Sequence, residues 1–296
     1  MASHSSDYDY IIIGAGSAGC VLADRLSADG RYTVCLLEAG GTDRRFWVTV
    51  PLGYGKLFYN KAVNWCYTTE PSKGLGGRPD FWPRGKLLGG SSSINAMVYI
   101  RGQQQDFDGW AEAGNPGWDW ESVLPIFKEM ETYDGGSNHF RGDKGPLHVS
   151  RADRDAHPLC AAYFEAGQAL GLPLNEDFNG PSQEGVGYYQ VTTRKGRRHS
   201  SAKAFLRPAM GRKNLTVLTG AQAKRILFDG KRATGVVFQQ AGREKTLHAG
   251  REVIVSAGAI NSPQLLQLSG VGPADLLRKH GIDPVLDQPQ VGANLQ

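Results

Sequence analysis

The stretch from Tyr8 to Glu38 constrains the fold of this chain more than any other. Ile11, Ile12 and Ile13 form a short apolar run that reads as a buried strand. It breaks at Gly14-Ala15-Gly16-Ser17-Ala18-Gly19, a G-x-G-x-x-G loop. Ala18, Val21, Leu22 and Leu26 follow at helical spacing, with a stop near Asp29-Gly30. A second β-rich run, Thr33 to Leu37, then delivers Glu38 at its carboxyl end. Strand, glycine loop, helix, second strand and terminal acid together make the dinucleotide-binding fingerprint.

Each position has a physical task. Gly14 allows the tight turn, Gly16 lets a pyrophosphate approach the backbone, and Gly19 lets the helix pack close to the strand. The helix N-terminus offers unpaired N–H groups and partial positive charge to the phosphates. Glu38 can accept hydrogen bonds from an adenosine ribose, and its charge repels a 2′-phosphate, which argues against NADP. The same residues nearly match a nucleophile elbow, with Ser17 as nucleophile and Ala15 where glycine belongs. That elbow normally follows several earlier strands, whereas here the first strand precedes it almost at once, so the hydrolase reading is set aside.

With 296 residues the chain can hold one large or two modest domains and bury a sizeable core. The net charge of +4 is mild and implies no acidic partner. Its densest basic cluster, Arg194-Lys195-Gly196-Arg197-Arg198, lacks the interleaved aromatics of a single-strand nucleic-acid platform. It reads as a solvated loop or a local anion contact, and no nucleic-acid partner is expected. Cys20, Cys35, Cys66 and Cys160 show no paired spacing, so Cys20 and Cys35 are expected as small core residues in a reducing compartment. The histidines are scattered without ligand spacing, and no metal is expected. Met1 to Asp9 lacks a signal-type apolar region, and no apolar run is long enough to span a bilayer.

From Gly40 to Arg84 the chain is rich in Gly, Pro and aromatics, among them Trp47, Tyr54, Trp65, Tyr67 and Trp82. A loop this long is usually functional or covers another element. These aromatics can line a cofactor pocket, although packing over the sheet is the commoner explanation. Next comes Gly85-Lys86-Leu87-Leu88-Gly89-Gly90-Ser91-Ser92-Ser93-Ile94-Asn95-Ala96-Met97-Val98-Tyr99. Its glycines and serines give a backbone able to lie flat against a ligand, and the apolar run Ile94 to Ile100 is not what bounds a flexible linker.

This stretch resembles the first signature of the glucose–methanol–choline family of FAD-dependent oxidoreductases. The stretch Gly258 to Gly272 (GAINSPQLLQLSGVG) resembles that family's second signature. With the opening fingerprint, three long motifs stand in the family's order and cover nearly the whole chain. Trp82 to Lys86 and Asn95 to Gly102 are most similar to bacterial choline-dehydrogenase-like alcohol dehydrogenases.

The resemblance implies an α/β fold: a Rossmann-like FAD-binding domain with a parallel sheet and a β-meander, plus part of an α+β substrate domain. The FAD-binding domain is expected over residues 1–150 and 213–296, and the substrate portion over 151–212. Cofactor contacts are implied at Gly14, Gly16, Ser17, Ala18 and Gly19 in the first loop, and at Glu38 and Ala39 after the second strand. Further contacts are implied at Arg84, Gly85, Leu88, Gly89 and Ser92. Asn95, Ala96, Met97 and Val98 are expected against the isoalloxazine, Ala223 beside the adenine, and Ala257 and Gly258 at a strand end. Choline oxidases carry a flavin-linked histidine where this chain has Ile94, which has no nucleophile, so the FAD is expected to be non-covalent.

Several elements can be placed from pattern alone. Asp119 is an N-cap for a helix carrying Val123, Leu124, Phe127 and Met130. His157 to Leu170 reads as an amphipathic helix, Gly185 to Thr193 as a strand, and Ser200 to Leu206 as a helix start. Leu215–Thr219, Lys224–Phe228, Ala233–Gln239 and Lys245–His248 read as a β-meander, followed by a buried strand at Val253 to Ser256 and a helix from Ser262.

The implied reaction is oxidation of a primary alcohol to an aldehyde by hydride transfer to flavin, with a histidine as general base and a quinone or oxygen as electron acceptor. In the family, the segment ending near Gln296 runs on into a second half that carries this histidine. His139, His148, His157, His199, His248 and His280 match no catalytic motif. The chain is thus expected to be a fragment or one piece of a split protein, without a catalytic residue of its own and with the missing half as partner. Two alternatives stay open, a non-catalytic flavin-binding module and a nicotinamide-dependent dehydrogenase. A cytoplasmic location is expected, with peripheral contact at the inner membrane face left open.

Overall fold

The computed structural model describes residues 7–153 and 156–295. Contacts divide the chain into two compact units, one running to Ile94 and resuming at Ser201, the other spanning Asn95–Ser200.

The first unit is built on the dinucleotide fingerprint. Strand β1 (Tyr8–Ile13), helix α1 (Ser17–Leu26) and strand β2 (Val34–Glu38) follow in the expected order. The next strands are β3 (Leu215–Thr219), β4 (Ala221–Asp229), β5 (Arg232–Gln240) and β6 (Arg243–Val255), followed by helix α2 (Gly258–Leu268). The parallel layer runs β3-β2-β1-β6, with Ile11 opposite Cys35 on one side and Val253 on the other. Strands β4, β5 and the first part of β6 form an antiparallel meander.

Alternation along the strands decides what packs where. Ile11, Ile13, Cys35 and Leu37 face the meander, where they bury against Ile226, Val236 and Phe238, with Leu265 of α2 completing the cluster. Each such aliphatic side chain contributes roughly 1.5–3 kcal/mol through the water it sheds. Ile12 and Leu36, of opposite parity, are equally buried toward the other face, on the side of α1. Cys20 and Cys35 are both fully buried, as expected of small core residues.

Three expectations about strands need correction. Leu215–Thr219 is not part of the meander: β3 pairs in parallel with β2, and Gly220 alone (φ 63°) separates it from β4. Lys245–His248 and Val253–Ser256 are not separate strands, because β6 is continuous, pairing antiparallel with β5 through His248 and parallel with β1 from Ala249. Its last three residues are half-buried rather than fully buried. An alternating pattern identifies a strand but carries no record of its partner, so one strand serving two sheets reads as two.

The second unit packs Phe107, Trp120, Val123 and Leu124 from the helices Gln104–Glu112 and Trp120–Met130. Asp119 caps the latter, its side chain accepting from Ser122 N at 3.0 Å. The helix expected from His157 runs Leu159–Ala169. Gly185 to Thr193 forms only the two-residue strand Gln190–Val191 and the start of another at Thr193, since most of that run follows an irregular path. A buried ionic group ties the unit together. Glu131 takes Arg101 at 2.7 Å and Arg141 at 2.9 Å, and Arg141 reaches Asp177 at 2.7 Å. Val98–Tyr99 also pairs with Gln190–Val191. These links group 95–150 with 151–200 in one contact unit.

Candidate active site

A cavity of about 600 Å³ opens in the first unit at the carboxyl ends of β1, β2 and β6. Gly14, Gly16, Ser17, Ala18, Glu38, Ala39, Arg84, Gly85, Ala223, Ala257 and Gly258 all line it, so eleven of the sequence-expected residues come together. The volume lies within the ~300–1,000 Å³ range of small-molecule sites.

Close backbone approach builds its floor. A Cβ on Gly19 would lie 1.9 Å from the Gly14 carbonyl oxygen, so only glycine lets α1 seat against the turn. Gly14 itself is left-handed at φ 99°, and a Cβ there would meet Ser256 O at 2.6 Å. The Ser256 hydroxyl locks this corner by donating to Gly14 O at 2.8 Å.

Two helix starts face the cavity. Neither α1, capped by Gly16, nor α2, capped by Ala257, has a side chain bonded to its first N–H groups or an acid in its first turn. Those N–H groups and the helix dipole make both ends receptive to an anion. Helix α2 begins four residues earlier than expected. Ser262-Pro263 imitates a cap and first helical residue, but Pro263 lies inside the helix. Arg84 and Lys224 add positive charge to the lining.

Glu38 is the acid of the site and is only 6 % exposed. Its Oε2 accepts from Ala15 N at 3.0 Å and its Oε1 from Gly40 N at 2.8 Å. Burial pushes its carboxyl up to about 7, against the downward pull of those two N–H groups and of the Lys86 ammonium. The carboxylate therefore both fastens the glycine loop and keeps spare lone pairs for a hydroxyl donor.

The remaining expected residues do not line the cavity. Gly19 lies beneath its floor, and Leu88 is buried with its N–H on Gly41 O. Gly89 donates to Ala15 O at 2.7 Å, and the Ser92 hydroxyl donates to Gly89 O at 2.6 Å while accepting from Ser201 N. Asn95, Ala96, Met97 and Val98 belong to the second unit. There Asn95 Oδ1 accepts from Met97 N at 3.1 Å and from Arg198 Nη1 at 2.7 Å, and Met97 is left-handed at φ 66°. Within the basic cluster Arg194, Lys195, Gly196 and Arg197 are exposed, in keeping with a solvated loop, and Arg198 is the exception. It is fully buried, and burial lowers its guanidinium to about 10.

Sequence reasoning missed Gln222, Lys224, Ser256 and Asn261, which also line the cavity beside Trp65. Trp65 is the one aromatic of the 40–84 run in the cavity lining among the described residues, and Asn261 belongs to the second signature. Lys224 and Ser256 carry no local signal, because register alone brings them there. Among the described residues no histidine lines the cavity, and no group of His, Cys, Asp or Glu could hold a metal ion.

Residues 8–296 match the GMC oxidoreductase family. The chain belongs to that family. It is 50% identical over 295 residues to the alcohol dehydrogenase [acceptor] of Pseudomonas putida, covering 98% of this chain and 53% of that protein. It is 47% identical over 288 residues to the oxygen-dependent choline dehydrogenase of Brucella anthropi, covering 97% of this chain and 52% of that one. Pyridoxine 4-oxidase from Mesorbium loti superposes with a TM-score of 0.92 at 37% identity, over 95% of this chain and 55% of that structure. The chain thus spans about half the length of the curated relatives it matches. As in other members of the GMC family, the α/β unit with its mostly parallel sheet is the scaffold.

Proposed function

We propose that this chain is the FAD-holding half of an oxidoreductase that oxidises the CH–OH group of primary alcohols. The observation that carries the reading is a single cavity onto which two uncapped helix starts and a buried acid converge. A dinucleotide needs those groups together: N–H donors for its diphosphate and a carboxylate for its ribose. A Cβ on Gly16 would meet nothing closer than 3.9 Å, so space for a phosphate is left above the loop. In this reading Gly14, Gly16, Ser17, Ala18 and Gly258 serve the diphosphate, Glu38 and Ala39 the ribose, and Ala223 the adenine. Gly19, Leu88, Gly89 and Ser92 hold the walls.

FAD held there would supply an acceptor for the two electrons of the oxidation, with a quinone or oxygen as the external electron acceptor. With no histidine in the cavity lining among the described residues, the general base is assigned to sequence present in the other half of the relatives' length. FAD attachment is non-covalent, because Ile94 offers no nucleophile and is buried among Val48, Leu57, Val63 and Leu87. Titrating the purified protein with FAD should give saturable uptake, and denaturation should free all the flavin. Absence of uptake refutes the site, flavin retained on the unfolded chain refutes the non-covalent assignment, and alcohol turnover by this chain alone refutes the placement of the base.

A further inference from the structure

The segment from Val63 to Thr68 reaches the cavity by an unusual path. It pairs with the chain around Arg84, with Asn64 opposite Gly85 and Tyr67 opposite Trp82, and Trp65 N donates to Arg84 O at 2.9 Å. Between the two aromatics Cys66 takes a left-handed backbone, φ 54°, which a non-glycine residue adopts at a cost. Asn64 sustains that kink. It is almost fully buried, and its Oδ1 accepts from Cys66 N and from Arg84 N, each at 2.9 Å.

The consequence is an aromatic bridge. The rings of Trp65 and Tyr67 lie stacked, 5.8 Å apart and 8° from parallel, with the Lys86 ammonium 4.3 Å from the indole centroid. Tyr67 then donates its hydroxyl to Asn261 Oδ1 at 2.7 Å, in the first turns of α2. Burial raises the Tyr67 phenol above its ordinary value, so the hydroxyl stays a donor. Trp65 and Asn261 both line the cavity, and the bridge through Tyr67 links them.

We propose that Trp65 contacts the bound dinucleotide and that the Tyr67–Asn261 hydrogen bond is the latch that sets how fast the dinucleotide leaves. This rests on the FAD reading above and adds two residues to it. Tyr67 is a positioning residue: it acts by holding the indole in the wall, and the strained backbone at Cys66 gives the segment somewhere to go when the latch opens. It also gives Asn261 a task within the second signature that a helix start alone does not need.

The test is the release rate of FAD from loaded protein, followed by the recovery of flavin fluorescence on dilution. Tyr67→Phe removes only the hydroxyl and leaves the stack. Release should quicken by about twofold to tenfold, the range a single hydrogen bond supports. Asn261→Ala should do the same, and the double variant should release no faster than either single one, because both remove one bond. A merely structural role would lower the melting midpoint of the cofactor-free variants and leave release unchanged. Release quickened less than twofold in both variants, or effects that multiply in the double variant, overturns the latch while the FAD reading stands. Failure of the unmodified protein to take up FAD overturns both.

Discussion

Glu38 allows a quantitative test of the site before any ligand is added. In the cofactor-free protein its carboxyl sits at about 7, against 4.5 as an ordinary glutamate, chiefly because it is buried. The folded state therefore holds the proton over a pH range in which the unfolded chain has lost it. Below 4.5 both states are protonated and the group is neutral toward folding. Between 4.5 and 7 the unfolded chain ionises first, so stability falls as pH rises, by about 1.4 kcal/mol per pH unit. Above 7 the loss levels off at about 3 kcal/mol. The assay is denaturant unfolding at intervals from pH 5 to 8 for the native chain and for Glu38→Gln, comparing the difference between the two curves. That difference should change by about 2–3 kcal/mol across the window and be flat beyond it. Loading with FAD should flatten it too, since hydroxyl donors to the carboxylate favour its ionised form. A difference that does not vary with pH, or that varies in the opposite sense, refutes the burial argument.

Other consequences are more local. Gly19→Ala sets a methyl group 1.9 Å from the Gly14 carbonyl, which Ser256 holds in place, so it should cost at least ~1–3 kcal/mol and abolish flavin uptake, read by denaturant midpoint and flavin titration. Glu131→Ala leaves the buried guanidinium groups of Arg101 and Arg141 without their shared anion, and unfolding should show a loss of ~3–5 kcal/mol. Thiol labelling of the native protein at pH 8 should be confined to Cys66 and Cys160. Cys20 and Cys35 are buried and their thiols pushed up to about 12, so modification of either without unfolding contradicts the core assignment.

The site depends on contrasts of scale. The ion pair of Arg31 with Asp29 is exposed and contributes little, whereas the contacts around Glu38 and Glu131 lie out of water, where an unmet charge is expensive. Selection of glycine at Gly14 and Gly19 is steric, and selection of serine at Ser256 follows from the carbonyl oxygens it must satisfy.

The sequence by itself determined the nucleotide-binding half of the fold. A G-x-G-x-x-G loop between an apolar strand and a periodic helix has few other solutions, and Glu38 falls where strand length puts it. Local chemistry of this kind, a turn that needs glycine or a cap such as Asp119, is written in neighbouring residues and can be read there. What only the tertiary structure decided is everything that depends on distant partners. That β3 joins the parallel layer, that β6 belongs to two sheets, and that Lys224 and Ser256 reach the cavity are matters of register between strands far apart in the chain. The same holds for Tyr67 and Asn261, 194 residues apart, whose hydrogen bond leaves no trace in either one's neighbourhood. Pairing energy is shared by many possible partners, and only the packed whole selects among them.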